Sequence, residues 1–130
     1  VNRYSLSSRA RLDTCHPSLI RVFEGILLVV DHTIICGHRG QFEQDEAYRT
    51  GKSEVEFPDS RHNMDPSQAV DAAPYPIDWT DRERATLFAG FVLGYAASLD
   101  VTLTWGGDWN KDWHVADNHF DDLWHFQLVH

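Results

Sequence analysis

Between Leu19 and Val30 the apolar residues Leu19, Val22, Phe23, Ile26, Leu27 and Val30 recur at three- and four-residue spacings. That is the period of one helix face. Pro17 stands just ahead of it, at a first-turn position where a missing N–H costs nothing, and predicts the helix start. A second run, Ala85, Phe88, Phe91, Val92, Tyr95, Ala96 and Leu99, has the same period and predicts a long helix. Thr80-Asp-Arg-Glu83 before it reads as a capping box with Thr80 as N-cap. Gln41 to Arg49 favours helix but is very polar, so a solvated helix ending near Gly51 is expected. Residues 1–13 read as a polar arm or a short lead-in helix.

Short β-branched or apolar runs lie between these helices. Thr33 to Cys36 predicts a buried strand closed by Gly37-His-Arg-Gly40. Ala69 to Ala73 predicts a second strand, Val101 to Trp105 a third turned by Gly106-Gly107, and Trp124 to Val129 a last one opened by His125. Two stretches carry no period. Residues 51–66 form a long loop around His62, and residues 108–122 form a loop rich in Asp, Asn, His and Trp. Long aperiodic loops in a compact domain usually serve function. The order helix, strand, helix, strand, helix, strand, strand predicts an α+β fold, with helices packed on a small antiparallel sheet. No repeat or linker interrupts it, so residues 1–130 are expected to form a single domain.

Charge narrows the partners. The chain carries 20 Asp and Glu against 11 Lys and Arg, a net charge of −9. Such a surface does not attract nucleic acid or anionic lipid. No apolar run is long enough to span a membrane, and the N-terminal residues show no signal-peptide core. The two cysteines, Cys15 and Cys36, lie in no C-x-x-C motif, which excludes a cysteine-rich zinc site. Cys36 is expected as a buried free thiol, with a Cys15–Cys36 disulfide as the less favoured alternative.

The candidate chemistry is histidine and carboxylate. Four of the eight histidines (His114, His119, His125 and His130) fall in the last seventeen residues. His62 in its loop, Asp71 in a strand and His125 in another strand could converge at one end of a sheet. Imidazole and carboxylate without thiolate suit a catalytic zinc with one open position. Asp71 inside an apolar strand is costly unless paired or metal-bound; its bland alternative is an edge strand facing solvent. Asp122, three residues before His125, could move a proton as general base and acid; on spacing alone a solvated loop Asp explains it better. Arg39 at a strand end reads equally as a functional side chain or a surface Arg. His114 and His119 with a nearby Asp are the rival ligand set.

The motifs together shift these weights. Ser60-x-His62, Ala69-Val-Asp71 and Asp122-x-x-His125-Phe resemble the metal motifs of the M15 zinc peptidases. Gly37-His-Arg39, Ala73-Pro-Tyr-Pro-Ile-Asp-Trp79 and Trp105-Gly-Gly-Asp-Trp109 are similar to the phage endolysin branch, which cuts L-alanyl-D-glutamate bonds. The resemblance implies a fold like the Hedgehog/DD-peptidase group, zinc held by His62, Asp71 and His125, and Asp122 as catalytic base. It places Arg39 and Ser60 by the substrate, with Arg39 stabilising an oxygen. The implied partner is the peptidoglycan stem peptide. The implied protein is a monomer held in the host cytoplasm until a holin-type release. D-Ala-D-Ala cleavage and a non-catalytic wall-binding module are the alternatives. Two departures stand out. The gap from His62 to Asp71 is longer than the commonest form and lacks its Gly. The usual His-Phe-Glu-Leu ending is His125-Phe-Gln127-Leu here, which removes a carboxylate.

Overall fold

The computed structural model describes residues 1–116 and 120–129. Its helices are α1 (Leu6–Leu12), α2 (Pro17–Leu27), α3 (Gln41–Arg49) and α4 (Arg82–Ser98). Its strands are β1 (His32–Cys36), β2 (Ala69–Pro74), β3 (Leu103–Gly106) and β4 (Asp122–Leu128), and a 3-10 turn covers Arg61–Asn63. The strands form one antiparallel sheet in the order β1-β2-β4-β3. The expected α+β architecture is therefore present, with α1 as the short lead-in helix ahead of it.

Alternation along the strands divides the sheet into two faces. Val70 and Ala72 of β2 and Phe126 and Leu128 of β4 turn to a core shared with α2 and α4. There Leu19, Val22, Phe23 and Ile26 meet Phe88, Val92 and Ala96, all buried. Phe126 packs edge-on against both Phe23 and Phe88. The opposite face carries Asp71, His125 and Gln127, and the loops around His62 and Trp109 close over it.

Some expectations hold and others need correction. Pro17 does begin α2, but His16 is the N-cap: its Nδ1 accepts from the Ser18 N–H. The expected capping box at α4 does not form, and a single side-chain cap one residue further on takes its place. Asp81 is the N-cap and accepts from the Arg84 N–H, while the Thr80 hydroxyl donates to Asp78. Helix α3 is not simply solvated, since Gln44 and Ala47 are buried. His125 lies in the middle of β4, because that strand starts at Asp122. Both cysteines are free thiols, and Cys36 is half-buried. Asp71 is on no edge: β2 is flanked by β1 and β4. Among the described residues, no helix is long and apolar enough to cross a membrane.

Candidate active site

Strand register assembles the site. Asp71 is paired with Cys36 of β1 on one side and with His125 of β4 on the other. His62 reaches the same point from the 3-10 turn. Ser60 caps that turn by accepting the His62 N–H, and Asn63 returns the bond to the Ser60 backbone. Arg39 N–H donates to the His62 carbonyl, which ties the turn to the end of β1.

Three donor atoms converge there. His62 Nε2 and His125 Nδ1 each lie 3.1 Å from Asp71 Oδ1 and 3.2 Å from one another. The edge of a tetrahedron around zinc, with bonds of about 2.0 Å, is about 3.3 Å. The triangle therefore has the size of one face of a tetrahedral metal site. The remaining ring nitrogens face acceptors: His62 Nδ1 is 2.7 Å from the Gly37 carbonyl, and His125 Nε2 is 2.8 Å from Gln127 Oε1. The donor set suits a divalent cation.

Cys36, His62 and Asp71 also lie close enough to share one ion. The Cys36 sulfur, however, is 3.8 Å from His62 Nδ1, the nitrogen already engaged by Gly37. It approaches the ring edge remote from His125. The nitrogen–oxygen triangle is the better-shaped set.

Electrostatics in the metal-free chain follow from this convergence. Burial disfavours a charged His62, but Asp71 outweighs it and raises the imidazole to about 10. Burial likewise opposes ionisation of Asp71, and the two histidines overcome it and hold the carboxyl well below its usual range. Asp122 goes the other way. Burial, and then the negative charge of Asp71, push it up to about 6. Its Oδ2 is 3.8 Å from His125 Nδ1, beside the triangle but farther from it than the three donors are from each other.

That position of Asp122 is not what simple alternation gives, since residues three apart on a strand face opposite sides. The β3–β4 pairing slips between Trp105 and Gly106, so Gly106 meets Asp122. Trp105 Nε1–H donates to the Leu123 carbonyl and pins the irregular segment. Such irregularities re-aim side chains, and here one brings Asp122 to the His125 side.

A cleft of about 590 Å³ opens over these groups, with Trp109, Phe120 and Ser53 to Val55 among its lining. The Trp109 ring lies 5.3 Å from that of His125. Ser60 and Arg39 line the cleft. Arg39 is also tethered: Nη2 is 3.6 Å from Asp71 Oδ2, and Nη1 donates to Gln44 Oε1. Gln44 in turn donates to Ser53 and to the Val55 carbonyl, joining α3 to the cleft rim. His114 is exposed and does not line the cleft; His119 lies outside the described residues.

The sequence profile of the phage L-alanyl-D-glutamate peptidase family matches residues 1–129. The chain belongs to that family. The crystal structure of the L-Ala D-Glu endopeptidase ChiX from Serratia marcescens is similar to this peptidase, with a TM-score of 0.75 and 28% identity. The match covers 98% of this chain and 90% of that one. No curated protein sequence matches the peptidase.

Sequence reasoning placed the peptidase's His62, Asp71, His125, Asp122, Arg39 and Ser60 in one neighbourhood, and the structure brings them together. It missed Gln44, the Gly37 carbonyl and the contact from Gln127. Gln127 was findable, because two residues apart on a strand means one face. Gln44 was not, because its burial depends on how the 51–55 loop folds back.

Proposed function

We propose that this peptidase hydrolyses the L-Ala–D-Glu bond of peptidoglycan stem peptides with a zinc ion held by His62, Asp71 and His125. The observation that carries the reading is the 3.1–3.2 Å triangle of nitrogen and oxygen donors with a separate carboxylate beside it. Zinc in such a site acts as a Lewis acid on a carbonyl and makes water more acidic. The chain's own residues do the rest. Asp122 takes the proton from attacking water and delivers it to the leaving amine. Arg39, half-buried at the cleft wall, holds Asp71 and faces the substrate with Ser60. Trp109 and Phe120 shield the reacting groups from bulk water, which strengthens electrostatic interactions inside the cleft. The 130 residues act as one catalytic domain, as their shared core from Leu12 to Leu128 supports. On this reading the protein is a monomeric endolysin held in the host cytoplasm until a holin-type release, and the phage peptidase family supports the part of it that places the substrate in the cell wall.

The test joins metal content with product identity. His62→Ala and His125→Ala should each lose zinc by elemental analysis, and mass spectrometry of digested wall should show new N-terminal D-Glu. Full zinc retention in both variants would overturn the ligand set. Release of D-alanine instead would reassign the bond to D-Ala-D-Ala.

A further inference from the structure

His125 and Gln127 are two apart on β4, so both side chains stand on the site face. Gln127 Oε1 lies 2.8 Å from His125 Nε2, while Nδ1 of the same ring is 3.1 Å from Asp71 Oδ1 and 3.2 Å from His62 Nε2. A neutral imidazole carries one N–H. When that proton is on Nε2, donated to the Gln127 oxygen, Nδ1 is bare and faces the other donors. Were the amide turned over, its NH2 would meet Nε2 and drive the proton to Nδ1, into the place a cation must occupy. A neutral His62 is handled in the opposite sense: the Gly37 carbonyl, 2.7 Å from Nδ1, would take Nδ1–H and leave Nε2 bare. The two histidines thus present different ring nitrogens, each selected by a different acceptor. One acceptor is backbone and always an oxygen. The other is a side chain that offers either oxygen or NH2.

We infer that Gln127 is a positioning residue that fixes the Nε2–H tautomer of His125 and thereby sets how tightly the site holds its metal. This rests on the zinc reading above. Glutamate at this position would offer oxygen in either orientation and add negative charge behind the ring, making it a stronger ligand. Glutamine keeps the acceptor and drops the charge. The sequence departure at Gln127 is therefore a retained contact of lower strength.

The test uses the full chain and zinc itself. Gln127→Met keeps the bulk and removes the acceptor; Gln127→Glu keeps the acceptor and adds the charge. Zinc affinity, measured by competition with a chromophoric chelator, should fall about 10- to 100-fold in Gln127→Met, the usual cost of losing such a partner. In Gln127→Glu it should exceed wild type. Long-range proton–nitrogen NMR of the zinc-loaded protein should show Nε2–H on His125 in wild type and in Gln127→Glu. Unchanged affinity in Gln127→Met with the same tautomer would overturn the inference and leave the ligand assignment standing. A wild-type chain that takes up no zinc overturns both. If methionine unfolds the strand, as circular dichroism would reveal, the glutamate variant decides: tighter zinc supports the inference, and equal or weaker zinc overturns it.

Discussion

Two carboxylates 51 positions apart in sequence behave oppositely because of what surrounds them. Asp71 lies between two imidazoles and stays ionised; Asp122 has Asp71 for a neighbour and is pushed up to about 6. On the proposed reading the first holds a cation and the second trades a proton. Asp122→Asn is nearly isosteric, so zinc content and fold should be retained while wall-clearing activity falls by about 10²–10⁴-fold, the scale of general acid–base help. A variant keeping more than about a tenth of the rate would be too active for a lost base on that scale. His62 gives a second prediction. Its imidazole is at about 10 without metal, and the proposed ligand set requires Nε2 bare. Below that value binding must expel a proton, so apparent zinc affinity should rise toward tenfold per pH unit between about pH 6.5 and 8, with close to one proton released. Calorimetry in buffers of different ionisation enthalpy measures the release; a pH-independent affinity would contradict it.

At the level of elements, the slip between β3 and β4 matters most. Gly106 faces Asp122, and a Cβ there would lie 2.1 Å from the Asp122 carbonyl oxygen. Backbone cannot yield as a side-chain tip does, so Gly106→Ala must displace the start of β4. Asp122 should move while His125, deeper in the strand and paired with Asp71, holds. The expected outcome is a large loss of activity with zinc still bound, read on the same preparation. Simultaneous loss of both would mean that the whole strand shifts. Capping of α4 offers a contrast, because Asp81 lies away from the cleft. Asp81→Ala should cost about 1 kcal/mol of stability in denaturant titration and leave the rate per folded molecule unchanged.

For the whole molecule, the site couples to stability through pH. In the metal-free chain His62 binds its proton more tightly folded than unfolded. The folded state therefore holds more protons between an unfolded value of about 6.5 and about 10. Stability from the His62–Asp71 pair is fully present below that window and is lost as pH rises through it. The zinc-loaded protein has no such proton to lose. Chelated protein should show Tm falling from pH 7 to 10 relative to the loaded form. At pH 7, zinc at a hundredfold excess over Kd should add about 2.7 kcal/mol. Thermal scans with and without chelator across that range test both, and parallel pH curves would contradict the linkage.

Local signals carried far in this chain. The three- and four-residue periods of α2 and α4 and the β-branched run of β1 reflect burial on one face, which any chain must write into its order of residues. The motif residues, from Ser60 to His125, could be named for the same reason: their chemistry is in their identity. What folding had to supply was adjacency and direction. Nothing local says that β2 lies between β1 and β4, since strand order depends on which faces find partners; that order put Cys36, Asp71 and His125 in one row. Nothing local says that the β3–β4 register slips, and without the slip Asp122 would face away from His125. Nor could composition show that the amide of Gln44, in a polar helix, would be buried against Arg39 and the cleft rim. Helices follow from neighbours in sequence, whereas this site follows from contacts between strands and loops that meet only when the sheet is complete.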